Sequence, residues 1–177
     1  MLFLMNEKEI SKVVLEGKIL IYPTDTVYGL GCNALNKQSV ERIKEIKGRD
    51  RDKPLSVIAP SLKWIKENLI VDVEFDKFLP GPYTVILKKK TPQFLGWVSS
   101  GDSLGVRIPD CEFTKTIQKS VVPFITTSVN LSGEKPAIDL SEIGEEIKSK
   151  VDLIIESKEK MSGKPSTLII NGKLVER

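Results

Sequence analysis

Lys18-Ile19-Leu20-Ile21-Tyr22-Pro23-Thr24-Asp25-Thr26-Val27-Tyr28-Gly29-Leu30-Gly31 is an apolar strand running straight into a polar turn. Pro23 has no N–H with which to extend a sheet, so the strand must end where two threonine hydroxyls and a carboxylate gather. Gly29 and Gly31 permit close backbone approach, and a glycine-punctuated hairpin is the simplest reading of residues 29–34. Further on comes a second dense patch, Lys47-Gly48-Arg49-Asp50-Arg51-Asp52-Lys53-Pro54-Leu55, with four cations in seven residues. It follows a helical pattern and precedes another strand. It suits a polyanion held near the hydroxyl turn, or else cations that complement a helix C-terminus and pair with Asp50 and Asp52.

Working outward, Asn6 and Glu9 have the spacing of a capping box, and Ile10, Val13 and Val14 make an apolar stripe that Gly17 closes. Ser39 is read as the cap of a helix striped by Val40, Ile43 and Ile46 and stopped at Gly48. Leu55–Ala59 reads as a buried strand, and Ser61 caps a helix with Leu62, Ile65 and Leu69 on one face and Trp64 partly in the core. A short helix is expected over 73–79. The Pro80-Gly81-Pro82 turn then leads into a strand over 83–87, with Lys88–Lys90 as its solvated end. Residues 91–103 read as a loop and 104–109 as a strand carrying Arg107 in an apolar setting. A guanidinium there must reach water, a structural carboxylate or an anionic ligand. A helix over 112–119 and a strand over 121–125 open into Thr126-Thr127-Ser128-Val129-Asn130-Leu131-Ser132-Gly133, either a ligand site at a strand's carboxyl end or an ordinary Ser/Asn/Gly turn. Ser141 is expected to cap a helix through Ile147, 151–156 a short strand, and 166–170 a hairpin with 173–175 across Asn171-Gly172.

Composition narrows the chemistry. The 177 residues, 40% of them apolar, read as one domain with a substantial core. Lys and Arg exceed Asp and Glu only 27 to 24, so strong positive potential requires local segregation of charge. With no histidine, Ser-His-Asp and Cys-His triads, His-ligated zinc and imidazole bases are excluded. Cys32 and Cys111 lack metal or redox spacing and read as reduced thiols. No apolar run reaches the ~20 residues of a membrane helix, and the N-terminus lacks a signal peptide's positive flank, so a soluble, cytoplasmic protein is expected.

Six patches in order, Ile21 to Leu30, Lys47-x-Arg49 with Lys53-Pro54-Leu55, Pro80 to Thr84, Gly105 to Pro109, Ser128-x-Asn130-x-Ser132-Gly133 and Ser166-Thr167, together make the chain resemble the YrdC family. The resemblance implies an α/β (α+β) fold, a twisted mixed β-sheet flanked by helices around a large positively charged cavity, as a single domain over 1–177. It implies threonylcarbamoyl-adenylate synthase activity: L-threonine, bicarbonate and ATP yield threonylcarbamoyl-AMP and pyrophosphate, and a separate transferase places the group on tRNA. By match to the family motifs, Lys47, Arg49, Ser128 and Asn130 surround the nucleotide and carbamate as the catalytic set. Thr26, Arg107, Thr126 and Ser166 form the threonine pocket, and Lys53, Ser103 and Arg177 join Arg49 and Ser128 on the nucleotide. Mg²⁺ is expected on the phosphates, without a protein cage. The chain departs from the family pattern at Asp50, often proline, and at 134–137. An RNA-binding module on the same basic concavity, and a carbamoyl-transfer domain using another acceptor, are the competing readings. The first needs exposed aromatics for base stacking, and most Phe and Tyr fall in apparent core strands.

Overall fold

Asn6 opens the first helix, α1 (Glu7–Leu15): its side chain accepts the N–H groups of Lys8 and Glu9, while Glu9 returns a bond to the Asn6 N–H. Ile10 and Val14 turn inward, and Gly17, at φ +74°, ends the element in the left-handed region. This computed structural model describes residues 6–50, 52–72, 74–156 and 160–175.

The opening strand forms as β1 (Leu20–Tyr22) and stops at Pro23. It turns back through residues 23–28 into β2 (Gly29–Gly31), pairing Leu20 with Gly31 and Tyr22 with Gly29, so the hairpin reading holds. Both faces of β1 are covered, and Ile19, Leu20 and Ile21 are each fully buried, worth about 1.5–3 kcal/mol apiece relative to exposure. Gly31 is a close-approach position, because a Cβ there would stand 2.0 Å from the Ile125 carbonyl oxygen.

Helix α2 (Lys37–Ile46) corrects one expected cap. Asn36, not Ser39, is the N-cap, its side chain accepting the Ser39 N–H, and the Ser39 hydroxyl instead donates to the Gly17 carbonyl at 2.5 Å. At the far end Gly48, at φ +55°, closes a Schellman arrangement, with Gly48 N donating to Glu45 O and Arg49 N to Lys44 O. That turn brings Lys47 and Arg49 off the helix together.

After β3 (Ser56–Ile58), Ser61 caps α3 (Leu62–Asn68) as expected, with Trp64 half-buried against the core. The helix runs directly into β4 (Leu69–Ile70), a strand too short for a periodic signal. The helix expected over 73–79 is a single 3₁₀ turn, Phe75–Lys77, and Val73 lies outside the described residues. Strand β5 (Tyr83–Lys89) is longer than expected, and Lys89 is not a solvated end: it is 4% exposed and donates to Ser99 O at 2.9 Å. Then come β6 (Ser103–Arg107), α4 (Glu112–Ser120) and β7 (Phe124–Ser128). The strand expected at 121–125 is displaced because Val121 is the left-handed cap of α4 and Pro123 follows it, so Thr126, Thr127 and Ser128 lie within the sheet rather than beyond it. Near the end Asp139, not Ser141, caps a 3₁₀ turn, Gly144 precedes the single turn of α5 (Glu145–Lys148), and β8 (Leu153–Ile154) follows. The last hairpin, β9 (Thr167–Ile170) and β10 (Lys173–Val175), turns on Asn171 and Gly172, both at positive φ, as expected of an Asn-Gly turn.

These strands form one twisted mixed sheet, ordered β10-β9-β5-β6-β3-β7-β2-β1-β8 with β4 alongside β5. The β1/β8, β3/β6 and β5/β9 pairs are parallel and the rest antiparallel. Alternation separates two cores. Ile19, Ile21, Val57, Val106 and Ile125 meet Val40, Ile43 and Ile65 of α2 and α3 on one face. On the other, Leu20, Tyr22, Ile58 and Phe124 meet α1 and α4, where Tyr22 stacks on Phe113 at 4.4 Å and Phe124 meets it edge-on. Helices α1 and α4 cover only part of that second face. Ser56, Thr84, Ile86, Gly105, Arg107, Thr126 and Leu168 share its side of the ladder beyond the helices, and the functional hollows open there.

Candidate functional site

Two adjoining hollows occupy the uncovered part of the sheet. The inner one is lined by hydroxyls from Thr24, Thr26, Thr84, Thr126 and Ser166, with Arg107 as its cation. The outer one is lined by Arg49, Pro54, Ser99, Ser103, Gly105 and Leu168 among others. Ser56, Thr126 and Thr127 line both and form the shared wall. The sheet produces this convergence: Ser56 pairs with Thr126 on one side and Gly105 on the other, and the missing side chain of Gly105 leaves room for the Ser56 hydroxyl.

In the inner hollow the hydrogen bonds have a fixed direction. Thr24 Oγ1 donates to the Val27 carbonyl at 2.7 Å, so in its 2.9 Å contact with Thr26 the Thr26 hydroxyl is the donor. Arg107 Nη1 donates to Thr26 Oγ1 at 3.2 Å. With its proton committed, Thr26 can offer a ligand only a lone pair, which suits an ammonium or hydroxyl. Across the hollow, Ser166 and Thr84 hydroxyls bond at 2.7 Å. Arg107, 5% exposed, pairs with Asp25 at 2.5 Å, so the structural carboxylate anticipated as one option is present while the guanidinium still faces the hollow. Both site arginines keep an Nε–H buried with no acceptor, a costly arrangement unless a ligand oxygen supplies one. Burial also lowers the pKa of Arg49, and its Nη2 donates to Pro54 O at 2.9 Å.

Lys47 and Asn130 are placed differently from a ligand-facing pair. Lys47 is 2% exposed and its ammonium donates to the carbonyls of Ser128 and Asn130 at 2.5 and 2.8 Å, with Asn130 Oδ1 at 3.4 Å. The Asn130 amide donates to Leu131 O and Glu134 O, and Ser132 N returns to Lys47 O. Neither residue lines a hollow; together they lock the segment after β7 onto the end of α2, which puts Ser128 at the inner wall. Burial, then the charge of Arg49, brings the Lys47 pKa down to about 8 against an opposing pull from Glu134. The sign follows: an unfolded chain holds that proton to about 10.4, so between those values the unfolded state binds more protons and stability grows with pH. Urea unfolding at about pH 7.5 and about pH 9.5 is expected to show a gain on the order of 1–2 kcal/mol, absent from Lys47→Met.

Lys53 is exposed and lines neither hollow, and Arg177 lies outside the described residues. Thr26, Arg49, Ser103, Arg107, Thr126, Ser128 and Ser166 all converge on the hollows. Sequence reasoning left Ser56, Thr84 and Thr127 out of the site. Thr84 ends the quoted Pro-Gly-Pro-Tyr-Thr patch and was legible, whereas Ser56 becomes visible only through its register with Thr126 and Gly105. No carboxylate lines either hollow, and no cluster of His, Cys, Asp or Glu able to hold a metal occurs among the described residues. Among those residues, too, no helix is long and apolar enough to cross a membrane.

Comparison with known proteins follows the same lines. The Sua5/YciO/YrdC family model, which carries the description "Telomere recombination", matches residues 12–175. A Methanocaldococcus jannaschii protein named "Putative threonylcarbamoyl-AMP synthase" is 39% identical over 176 residues, spanning 93% of this chain and 83% of that protein. The threonylcarbamoyl-AMP synthase of Pyrococcus abyssi is 36% identical over 162 residues, spanning 87% of this chain and only 47% of its own length. The crystal structure of P. abyssi Sua5 complexed with L-threonine superposes with a TM-score of 0.81 at 30% identity, covering 98% of this chain and 54% of that one. With the hydroxyl turn, the paired arginines and the mixed sheet all in place, the chain belongs to the Sua5/YciO/YrdC family.

Proposed function

We propose that this protein is a threonylcarbamoyl-AMP synthase, converting L-threonine, bicarbonate and ATP to threonylcarbamoyl-AMP and pyrophosphate. The observation that carries the reading is the pair of adjoining hollows, each with an arginine whose buried Nε–H lacks an acceptor, joined across Ser56, Thr126 and Thr127. Two anionic ligands meeting at a shared wall is the arrangement this condensation requires.

The threonine ammonium gives one proton to solvent, and the free amine then attacks bicarbonate, forming the C–N bond of a carbamate with loss of water. A carbamate oxygen then attacks the α-phosphorus of ATP, and the bond to the β-phosphate oxygen breaks to release pyrophosphate. Arg107 holds the amino-acid carboxylate, Thr26 accepts from its ammonium or hydroxyl, and Thr126 and Ser166 complete the inner pocket. Arg49, Ser103, Ser128 and the backbone of the shared wall hold the nucleotide, and Lys53, next to the outer-hollow residue Pro54, is the exposed cation that reaches for phosphate. Catalysis is charge neutralisation and in-line placement, which needs no imidazole. Mg²⁺ would be held by the phosphate oxygens of ATP and would spread their charge, since the lining offers hydroxyls and guanidinium groups but no carboxylate ligand. The product supplies a separate transferase that modifies adenosine in tRNA, a role consistent with a cytoplasmic enzyme.

Pure protein with ATP, threonine, bicarbonate and Mg²⁺ is expected to release pyrophosphate only when threonine is present. Release that is absent, or indifferent to threonine, at high protein concentration overturns the reading.

A further inference from the structure

Asp25 lines neither hollow, yet its side chain is 12% exposed and fully engaged: Oδ1 takes Arg107 Nη2 at 2.5 Å and Oδ2 accepts the Asp110 N–H at 3.0 Å. One carboxylate therefore ties the turn after β1 to the end of β6 and to the entry of α4. We propose that Asp25 is the positioning residue for Arg107 and makes the inner hollow select a zwitterionic amino acid over a simple anion. The proposal rests on the synthase reading for its substrate class.

The argument has two parts. Arginine carries large rotamer entropy, and a guanidinium at a strand end stays in one plane only if its N–H groups are held. Asp25 and Thr26 hold one N–H each of Nη2 and Nη1, which fixes the plane of the guanidinium and leaves the second N–H on each for a ligand, while the buried Nε–H has no acceptor in the protein. Pre-set orientation lowers the ordering cost when a carboxylate arrives. The second part is charge. Arg107 and Asp25 cancel, so a zwitterion enters without unbalancing the hollow, its carboxylate toward Arg107 and its ammonium toward the Thr26 lone pair. A monoanion lacking the ammonium meets a guanidinium whose charge Asp25 already cancels, and brings no donor for the Thr26 lone pair. An unpaired Arg107 would favour any small anion, including phosphate.

The test compares wild type, Asp25→Asn and Asp25→Glu. The Asn variant keeps the side chain's size but cannot accept from both Arg107 and Asp110 without turning its amide donors toward one of them. Its KM for threonine is expected to rise about tenfold with kcat at saturation within about threefold. Competition by 3-hydroxybutyrate, which is threonine without its amine, should strengthen by about tenfold as the charge that cancels Arg107 is lost. Asp25→Glu should restore the weak anion competition. Independently of any substrate, ¹⁵N NMR of the guanidinium is expected to show distinct Nη1 and Nη2 resonances for Arg107 in wild type and averaged ones in Asp25→Asn. Unchanged anion competition in Asp25→Asn, or Arg107 resonances as separated as in wild type, overturns the proposal. Absence of threonine binding to the wild type counts against the synthase reading, and the NMR comparison then still decides the positioning role.

Discussion

Arg107→Ala is expected to destabilise the protein by about 3–5 kcal/mol and to abolish threonine-dependent pyrophosphate release. The stability loss comes from Asp25, whose carboxylate would stay buried against the Asp110 N–H with its countercharge gone. Both partners are nearly covered, at 6% and 12% side-chain exposure, so solvent screening relieves little of that cost. Urea denaturation measures it, and the double variant Arg107→Ala with Asp25→Ala discriminates the cause. If the buried unpaired charge is responsible, the double variant is more stable than the single one. A double variant that is less stable than Arg107→Ala assigns the loss to packing instead. Activity recovers in neither case, because the amino-acid carboxylate has lost its donor.

Arg49→Ala is expected to leave the fold intact and to lower turnover by about 10²–10³, the scale of removing one oriented donor from developing charge. Its side chain is only partly covered, and its one side-chain hydrogen bond among the described residues is to Pro54 O, so stability should shift by no more than about 1 kcal/mol. Arg49→Lys is not expected to rescue turnover, because an ammonium cannot satisfy Pro54 O and a phosphate with the same planar fork. Steady-state kinetics with ATP varied at saturating threonine reads the effect, and turnover within threefold of wild type would remove Arg49 from the nucleotide half of the site. The contrast between the two arginines is itself informative. One is built into the sheet and paired, the other hangs from the cap of α2.

Several features were legible because their cause is local. The Asn6/Glu9 box, the Ser61 cap, the Gly48 stop and the Asn171-Gly172 hairpin each depend on residues a few positions apart, and each formed where expected. The misreadings share a different cause. Ser39 looked like a cap because serine caps helices, but the helix starts earlier: Asn36 accepts the Ser39 N–H, and the Ser39 hydroxyl found Gly17 O, distant in sequence. Lys89 looked solvated within a basic run, and only the fold of the 91–103 segment brings the Ser99 carbonyl to it. Lys47, named in the catalytic set, holds its ammonium among three oxygens, the Ser128 carbonyl at the end of β7 and the carbonyl and side-chain oxygens of Asn130, an enclosure that only the fold brings about.

The six motif patches, through the family they resemble, implied a mixed α/β sheet and named most of the residues that meet in the hollows. Which of them face a ligand and which hold another residue in place was decided by tertiary structure alone. Strand register sets that division. It places Ser56 beside Thr126 and Gly105, brings Arg107 against Asp25, and turns Lys47 inward, through pairings between segments roughly 50 to 80 positions apart that no local pattern encodes.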